Sequence, residues 1–289
     1  MSEWNNKELV STDWLAANLD DANLRVYDAT VHLRPSKDGP YMIESGLADY
    51  EAGHIPGAGF LDLVKDLSDT SSKLAFTMPS AEHLAKGFGA AGISNGNRVV
   101  LYSSTTPMWA TRAWWMLRSM GFTNIAVLDG GLSKWKAEGR ATATGREAYA
   151  PATLSLKADA SAWADKQAVL DAIGDEAVCT INALSPDVFS GEGAMSYGRK
   201  GHITGSKNVP YASLVNKDGT FKSADELRPL FDASGALKRS RIICYCGGGI
   251  SATMDAMALV QIGARNIAVY DGSMSEWCRD PDLPMETGS

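Results

Sequence analysis

The chain has 289 residues, is 45% apolar and 21% charged, and carries a formal net charge of −7 at pH 7. That length accommodates two ordinary domains, and that composition supports packed cores rather than disorder. Scattered Lys and Arg within a net negative balance exclude the basic footprint of a nucleic-acid binder, and no run of about 18 apolar residues offers a membrane span. Met1 to Leu9 is polar and charged, without a targeting pattern, so a cytoplasmic location is expected. Cys179, Cys244, Cys246 and Cys278 show neither metal-ligand spacing nor a Cys-x-x-Cys pair. They are expected to be free thiols in a reducing compartment, with no metal bound.

In chain order, Leu24-Arg25-Val26-Tyr27 reads as a strand, Ala81 to Gly89 as a helix and Val99 to Tyr102 as a buried strand. Trp109 to Met120 is helical in pattern, and Ile125 to Leu128 is strand again. A stretch rich in Ala, Thr, Gly and Pro, Ala141 to Leu156, reads as a linker. Beyond it the first half is echoed. Gly53-His54-Ile55-Pro56-Gly57-Ala58 matches Gly201-His202-Ile203-Thr204-Gly205-Ser206, and Arg98-Val99-Val100-Leu101-Tyr102 matches Arg241-Ile242-Ile243-Cys244-Tyr245. Asn124 to Gly131 matches Asn266 to Ser273, each leading to a Trp at the same offset, Trp135 and Trp277. Three matches in the same order predict two tandem domains, at 9–140 and 158–286, joined by a linker at 141–157. Alternating β and α segments make each an α/β domain, a parallel sheet flanked by helices.

The most informative segment is Ile242 to Thr253. A β-branched strand ends at Cys246; Gly247, Gly248 and Gly249 follow, then Ile250 and Ser251, where a helix is expected to begin. Glycines in succession allow backbone conformations and a close approach to ligand that side chains would obstruct. Such a loop can turn its N–H groups inward as an anion-binding nest, joined by the unpaired N–H groups of the helix. A cysteine placed there is favoured as thiolate and is a candidate nucleophile. Ser251 is expected to cap the helix and to direct its hydroxyl at the sulfur. Ligands of parallel sheets also bind at the carboxyl ends of strands, which separates Cys246 from the ordinary buried cysteine.

This Cys246-Gly247-Gly248-Gly249-Ile250-Ser251 loop resembles the Cys-Gly-x-Gly-Val-Thr active loop of two-domain sulfurtransferases, the rhodanese and 3-mercaptopyruvate sulfurtransferase family. The motif at 53–58, Leu128-Asp129-Gly130-Gly131 before Trp135, and Arg112 to Arg118 are further points of likeness. The resemblance implies two rhodanese-like domains. The first is catalytically silent, with Ser103 at the position of Cys246 and Ser104-Thr105-Thr106-Pro107 in place of glycines. It implies transfer of a sulfane sulfur from thiosulfate or 3-mercaptopyruvate through a Cys246 persulfide to cyanide or a thiol acceptor, either a small thiol or a thioredoxin-like protein. No cofactor is implied, and a monomer is expected, with its site between the two domains. Substrate binding falls to Gly247, Gly248, Gly249, Ile250 and Ser251.

Two departures bear on the donor. Mercaptopyruvate enzymes usually have Ser at the third loop position, where this chain has Gly248. The family commonly has Asp-x-Arg on a second-domain strand, with the Arg on the donor anion, where this chain has Asn182 and Leu184. Arg199, three residues before His202, is the candidate replacement, and thiosulfate is slightly preferred as donor. His54 and His202, at matched positions, suggest a structural role in the turn, and the Asp-Gly pairs at 129–130 and 271–272 read as turns. A phosphatase of related fold would need Arg six residues after the cysteine, where Ala252 stands. A thiol–disulfide oxidoreductase would need a resolving cysteine, and Cys244 is too close for unstrained geometry. The alternative of a different class is a non-catalytic anion- or sulfur-binding module.

Overall fold

The computed structural model describes residues 8–34, 36 and 41–288. The first half contributes β1 (Leu9–Val10), β2 (Leu24–Asp28), β3 (Val31–Arg34), β4 (Met42–Ser45), β5 (Gly59–Phe60), β6 (Arg98–Tyr102) and β7 (Ile125–Leu128). The second contributes β8 (Trp163–Ala164), β9 (Val178–Asn182), β10 (His202–Ile203), β11 (Lys207–Asn208), β12 (Arg241–Tyr245), β13 (Ile267–Tyr270) and β14 (Met285–Glu286). Two five-stranded sheets result, in the orders β1-β7-β6-β2-β5 and β11-β9-β12-β13-β8. All their pairings are parallel. Read from opposite edges the two orders coincide, with β6 and β12 as the central strands. Two antiparallel pairs, β3 with β4 and β10 with β14, lie outside the sheets.

Helices cover both faces, so the inner strands are apolar on both sides. Ile242, Ile243, Cys244 and Tyr245 of β12 are all buried. The helix after β12, Ala252–Gln261, is buried from Ala252 to Leu259. It packs against its first-domain counterpart, Met108–Ser119, whose Ala110 and Ala113 are also fully buried. Small residues on both helices let the backbones approach, and Thr111 Oγ1 meets Thr253 Oγ1 at 2.7 Å. The principal hydrophobic core is continuous through this contact, holding Trp109 and Trp114 from one domain and Met257 and Trp277 from the other.

Residues 141–157 contain neither helix nor strand, and they pack along the first domain. Ala143 forms a β-bridge with His54. Val26 N–H donates to Tyr149 Oη at 3.0 Å, and the N–H groups of Ala152 and Lys157 reach the carbonyls of Gly89 and Met120. No helix among the described residues is long and apolar enough to cross a membrane.

Two carboxylates cross between the domains, which the reading of their Asp-Gly pairs as simple turns did not foresee. Asp271 Oδ2 accepts from Met78 N–H at 2.7 Å, and Asp129 Oδ1 from Phe221 N–H at 2.8 Å. Asp271 also pairs with the Arg112 guanidinium at 2.8 Å. Among the described residues Asp129 makes no ion pair with an arginine. Burial pushes the Asp129 carboxyl up to about 6, a nearby Asp218 adds to the rise, and Lys134 opposes it. A folded-state value above the unfolded one means the native state holds the proton more tightly. Stability from this group is therefore full in acid and is lost as pH rises from about 4 through 6. Asp129→Asn keeps the acceptor for Phe221 and removes the charge. Its Tm relative to wild type should rise by roughly 2–4 °C between pH 5 and pH 7.5; a pH-independent difference contradicts this account.

Candidate active site

Cys246 follows the central strand β12 and is 2% exposed. Its loop returns to the sheet through one residue, Ser273, whose Oγ accepts the N–H groups of both Cys246 and Gly249 at 3.1 Å and donates to Tyr270 O at 2.7 Å. Met274 N–H bonds Cys246 O and Ser275 N–H bonds Gly247 O, so the helix Ser273–Trp277 holds the loop from below. Among the described residues, the N–H groups of Gly247, Gly248, Ile250 and Ser251 have no hydrogen-bond partner. They form the polar lining of the loop, with the start of the helix Ala252–Gln261 behind it.

Each glycine has its own reason. A Cβ at 247 would overlap the phenol of Tyr197, which packs on that position. Gly249 has φ +73°, and a Cβ there would stand 2.6 Å from Asp271 O. Gly248 alone has room around it. Ser251 departs from expectation: it is already helical, at φ −64° and ψ −23°, and makes no cap hydrogen bond. A capping side chain needs an extended backbone to turn back onto the first N–H groups. The N–H groups of Thr253 and Met254 bond the carbonyls of Ile250 and Ser251 instead, both at 3.0 Å.

Ser273 itself has φ +48°, unusual for any residue but glycine. The matched first-domain residue is Gly131, at φ +55°. The second domain thus keeps the left-handed conformation and gains a hydroxyl at the expense of backbone strain. The repeat carried this signal, Gly-Gly against Gly-Ser, and the sequence reading did not use it. Ser273→Gly relieves the strain but orphans two buried N–H groups, at about 1–3 kcal/mol each. We expect near-native folding with kcat/KM down about tenfold or more, since each 1.4 kcal/mol of lost loop order is a factor of ten; unchanged kinetics contradict the role.

The loop is also held from the first domain. Arg112, 2% exposed, donates through Nη1 to Gly249 O at 3.1 Å and through Nη2 to Phe76 O at 2.6 Å, besides its ion pair with Asp271. Its guanidinium lies over Trp163, 4.9 Å from the ring centroid. Arg112 is therefore a positioning residue, not a group facing the thiol. Behind the loop, Asp255 is fully buried, and neither oxygen has a hydrogen-bond partner. Burial first, and the Cys246 charge second, push its carboxyl well above the carboxylate range.

Arg199 directs Nη1 to the carbonyls of Asp280 and Leu283, at 3.0 and 2.9 Å, and so ties the segment carrying Tyr197 to the C-terminal residues. Leu184 is buried in the core, and Asn182 Oδ1 accepts Leu184 N–H at 2.8 Å in a local turn. His54 and His202 are buried alike. Each sets Nδ1 2.8 Å from a carbonyl, of Tyr50 and Phe189, and stacks on that residue's ring. In the matching first-domain loop Ser103 Oγ donates to Thr106 O, and Thr30 Oγ1 takes Ser104 N–H, so that turn is closed within its own domain.

Comparison with known proteins agrees with this geometry. The rhodanese-like domain family matches twice, over residues 11–138 and 164–280. The chain belongs to that family. It is 33% identical over 303 residues to thiosulfate/3-mercaptopyruvate sulfurtransferase 2 of Arabidopsis thaliana, covering 97% of this chain and 86% of the relative. With 3-mercaptopyruvate sulfurtransferase of Escherichia coli K12 it shares 32% identity over 279 residues, covering 96% and 97%. The crystal structure of SseA from Escherichia coli, described among 3-mercaptopyruvate sulfotransferases, superposes with a TM-score of 0.82 at 30% identity, covering 92% of this chain and 98% of that one.

Proposed function

We propose that Cys246 is the sulfur carrier of this enzyme. The chain is a sulfurtransferase, and the observation that carries the assignment of its nucleophile is the position of Cys246 directly after β12, at the head of a loop whose Gly247, Gly248, Ile250 and Ser251 N–H groups are unpaired. Cys246 as thiolate attacks the outer sulfur of the donor, leaving a persulfide. With thiosulfate the donor's S–S bond breaks and its electron pair departs with sulfite; with 3-mercaptopyruvate the C–S bond breaks, its electron pair leaves as the enolate, and the thiol proton ends on C3 to give pyruvate. Cyanide or a thiol then takes the outer sulfur and restores the thiolate, a double-displacement scheme. Gly247, Gly248, Gly249, Ile250 and Ser251 hold donor and persulfide through the backbone, where fixed N–H dipoles stabilise developing negative charge.

Thiosulfate is the preferred donor in this reading, with 3-mercaptopyruvate beside it; the names of the relatives include both. Arg199 supplies positive charge through the guanidinium N–H groups that Asp280 and Leu283 leave over. The acceptor is a small thiol or a thioredoxin-like protein, in a reducing, cytoplasmic setting that suits four free cysteines. The domains run 9–140 and 158–286 around the linker at 141–157.

The test is direct. Protein exposed to either donor without acceptor should gain one sulfur atom by intact mass, mapped to Cys246, and cyanide should release it as thiocyanate. If neither donor loads a folded protein, the non-catalytic anion- or sulfur-binding reading takes its place. The ratio of kcat/KM for the two donors names the preferred one.

A further inference from the structure

Gly248, the one loop glycine with free space, opens onto two hydroxyls. A Cβ there would lie 3.5 Å from Tyr41 Oη and 3.8 Å from Ser275 Oγ, ordinary van der Waals distances. The volume that a side chain at 248 would fill is thus bounded by a phenol of the first domain and a serine of the second. Both groups are held. The Tyr41 ring meets Tyr197 edge to face at 6.5 Å and 73°. Ser275 is fixed by its N–H on Gly247 O at 2.8 Å, and its hydroxyl faces the Tyr41 phenol. Burial, and then the charge of Cys246, push that phenol up to about 12. At neutral pH it is an O–H donor close enough to the sulfur to sense its charge.

We propose, resting on the reading of Cys246 as sulfur carrier, that Tyr41 hydrogen-bonds the leaving group of the donor, with Ser275 orienting the phenol. A first-domain side chain thereby stands in for the hydroxyl that Gly248 cannot offer. As Cys246 Sγ bonds to the outer sulfur of thiosulfate, the donor's S–S bond breaks and two electrons move onto sulfite. Negative charge grows on the sulfite oxygens, so a fixed O–H donor there stabilises the transition state more than the bound donor. No proton is transferred in this step, which suits a phenol that holds its proton firmly. The first domain, silent by its own loop, supplies a group that touches the reacting molecule.

The experiment separates the half-reactions in Tyr41→Phe, and in Tyr41→Phe combined with Gly248→Ser. Single-turnover sulfite release from thiosulfate is compared with cyanolysis of protein already loaded with sulfur. Loss of one such donor is worth about 10²-fold. Tyr41→Phe should therefore slow sulfite release by roughly that factor, with KM little changed and cyanolysis untouched. The added serine hydroxyl should recover part of the loss, which a mere packing role for Tyr41 would not allow. Sulfite release at the wild-type rate in Tyr41→Phe overturns the inference while leaving Cys246 as carrier. So does equal loss with and without the serine. A wild-type protein that releases no sulfite overturns the carrier reading and this inference together.

Discussion

Cys246→Ser should lose sulfur transfer by more than about three orders of magnitude, because the covalent route ends with the thiol. The fold should be unaffected. The substitution is nearly isosteric, and Cys246 is tied to its surroundings through the backbone, to Ser273 and Met274. The remaining thiols cannot take over. Burial pushes Cys179, Cys244 and Cys278 up, Cys244 well above the ordinary thiol value. The first-domain loop has Ser103 with its hydroxyl already donated to Thr106 O. The variant should therefore take up no sulfur by intact mass, and its denaturation curve should overlay that of wild type. Sulfur retained on the variant would mean a different carrier.

Arg112→Met should show the second large effect, acting through the loop that it holds at Gly249. The guanidinium is 2% exposed and serves Asp271, Gly249 O and Phe76 O at once. Apart from the ion pair, Asp271 Oδ1 has no hydrogen-bond partner among the described residues. Removing one member of a buried pair leaves the other uncompensated, which costs about 3–5 kcal/mol. Methionine fills the stem volume but satisfies none of the three acceptors. We expect a lower denaturation midpoint, and a kcat/KM reduced by about tenfold or more for the protein that remains folded, since small displacements of a held site lose large rate factors. Arg112→Lys should fall between, because a point ammonium cannot span the forked geometry. Full activity in Arg112→Met would remove the first domain from the support of the loop.

What the sequence disclosed was local. The end of β12, the glycine run and the helix after it are contiguous, and their residue types speak for themselves. The tandem order was equally legible, because the two halves could be read against each other. Edge strands of two residues, such as β1, β5, β8 and β11, carry no periodicity and were invisible. Ser251 misled, since a serine before a helix usually caps it, whereas here the chain enters already helical. Arg112 and Asp271 find each other only through the packing of two helices from different domains, and Tyr41 reaches Gly248 across the same boundary. Tyr197 stood two residues from Arg199, in a segment read only for its charge. Physical contact at long sequence separation is the part that a single chain, read in line, does not display.

The bond between Thr111 and Thr253 and the three-way grip of Arg112 also say where the first domain is free to drift. The hydrogen bonds of its own loop, Ser103 to Pro107, stay within its own domain, to Thr30, Leu132 and Ser133, so substitutions there are a matter of local geometry. Met78, Thr111 and Arg112 instead answer to partners in the other half, Asp271, Thr253 and Gly249, and a change at any of them must be matched across the boundary or reversed. If Cys246 is the sulfur carrier, a domain with serine at the matching place is thus kept under selection through its neighbour. Divergence in this half should be tolerated at the Ser103 loop and resisted along its inner face.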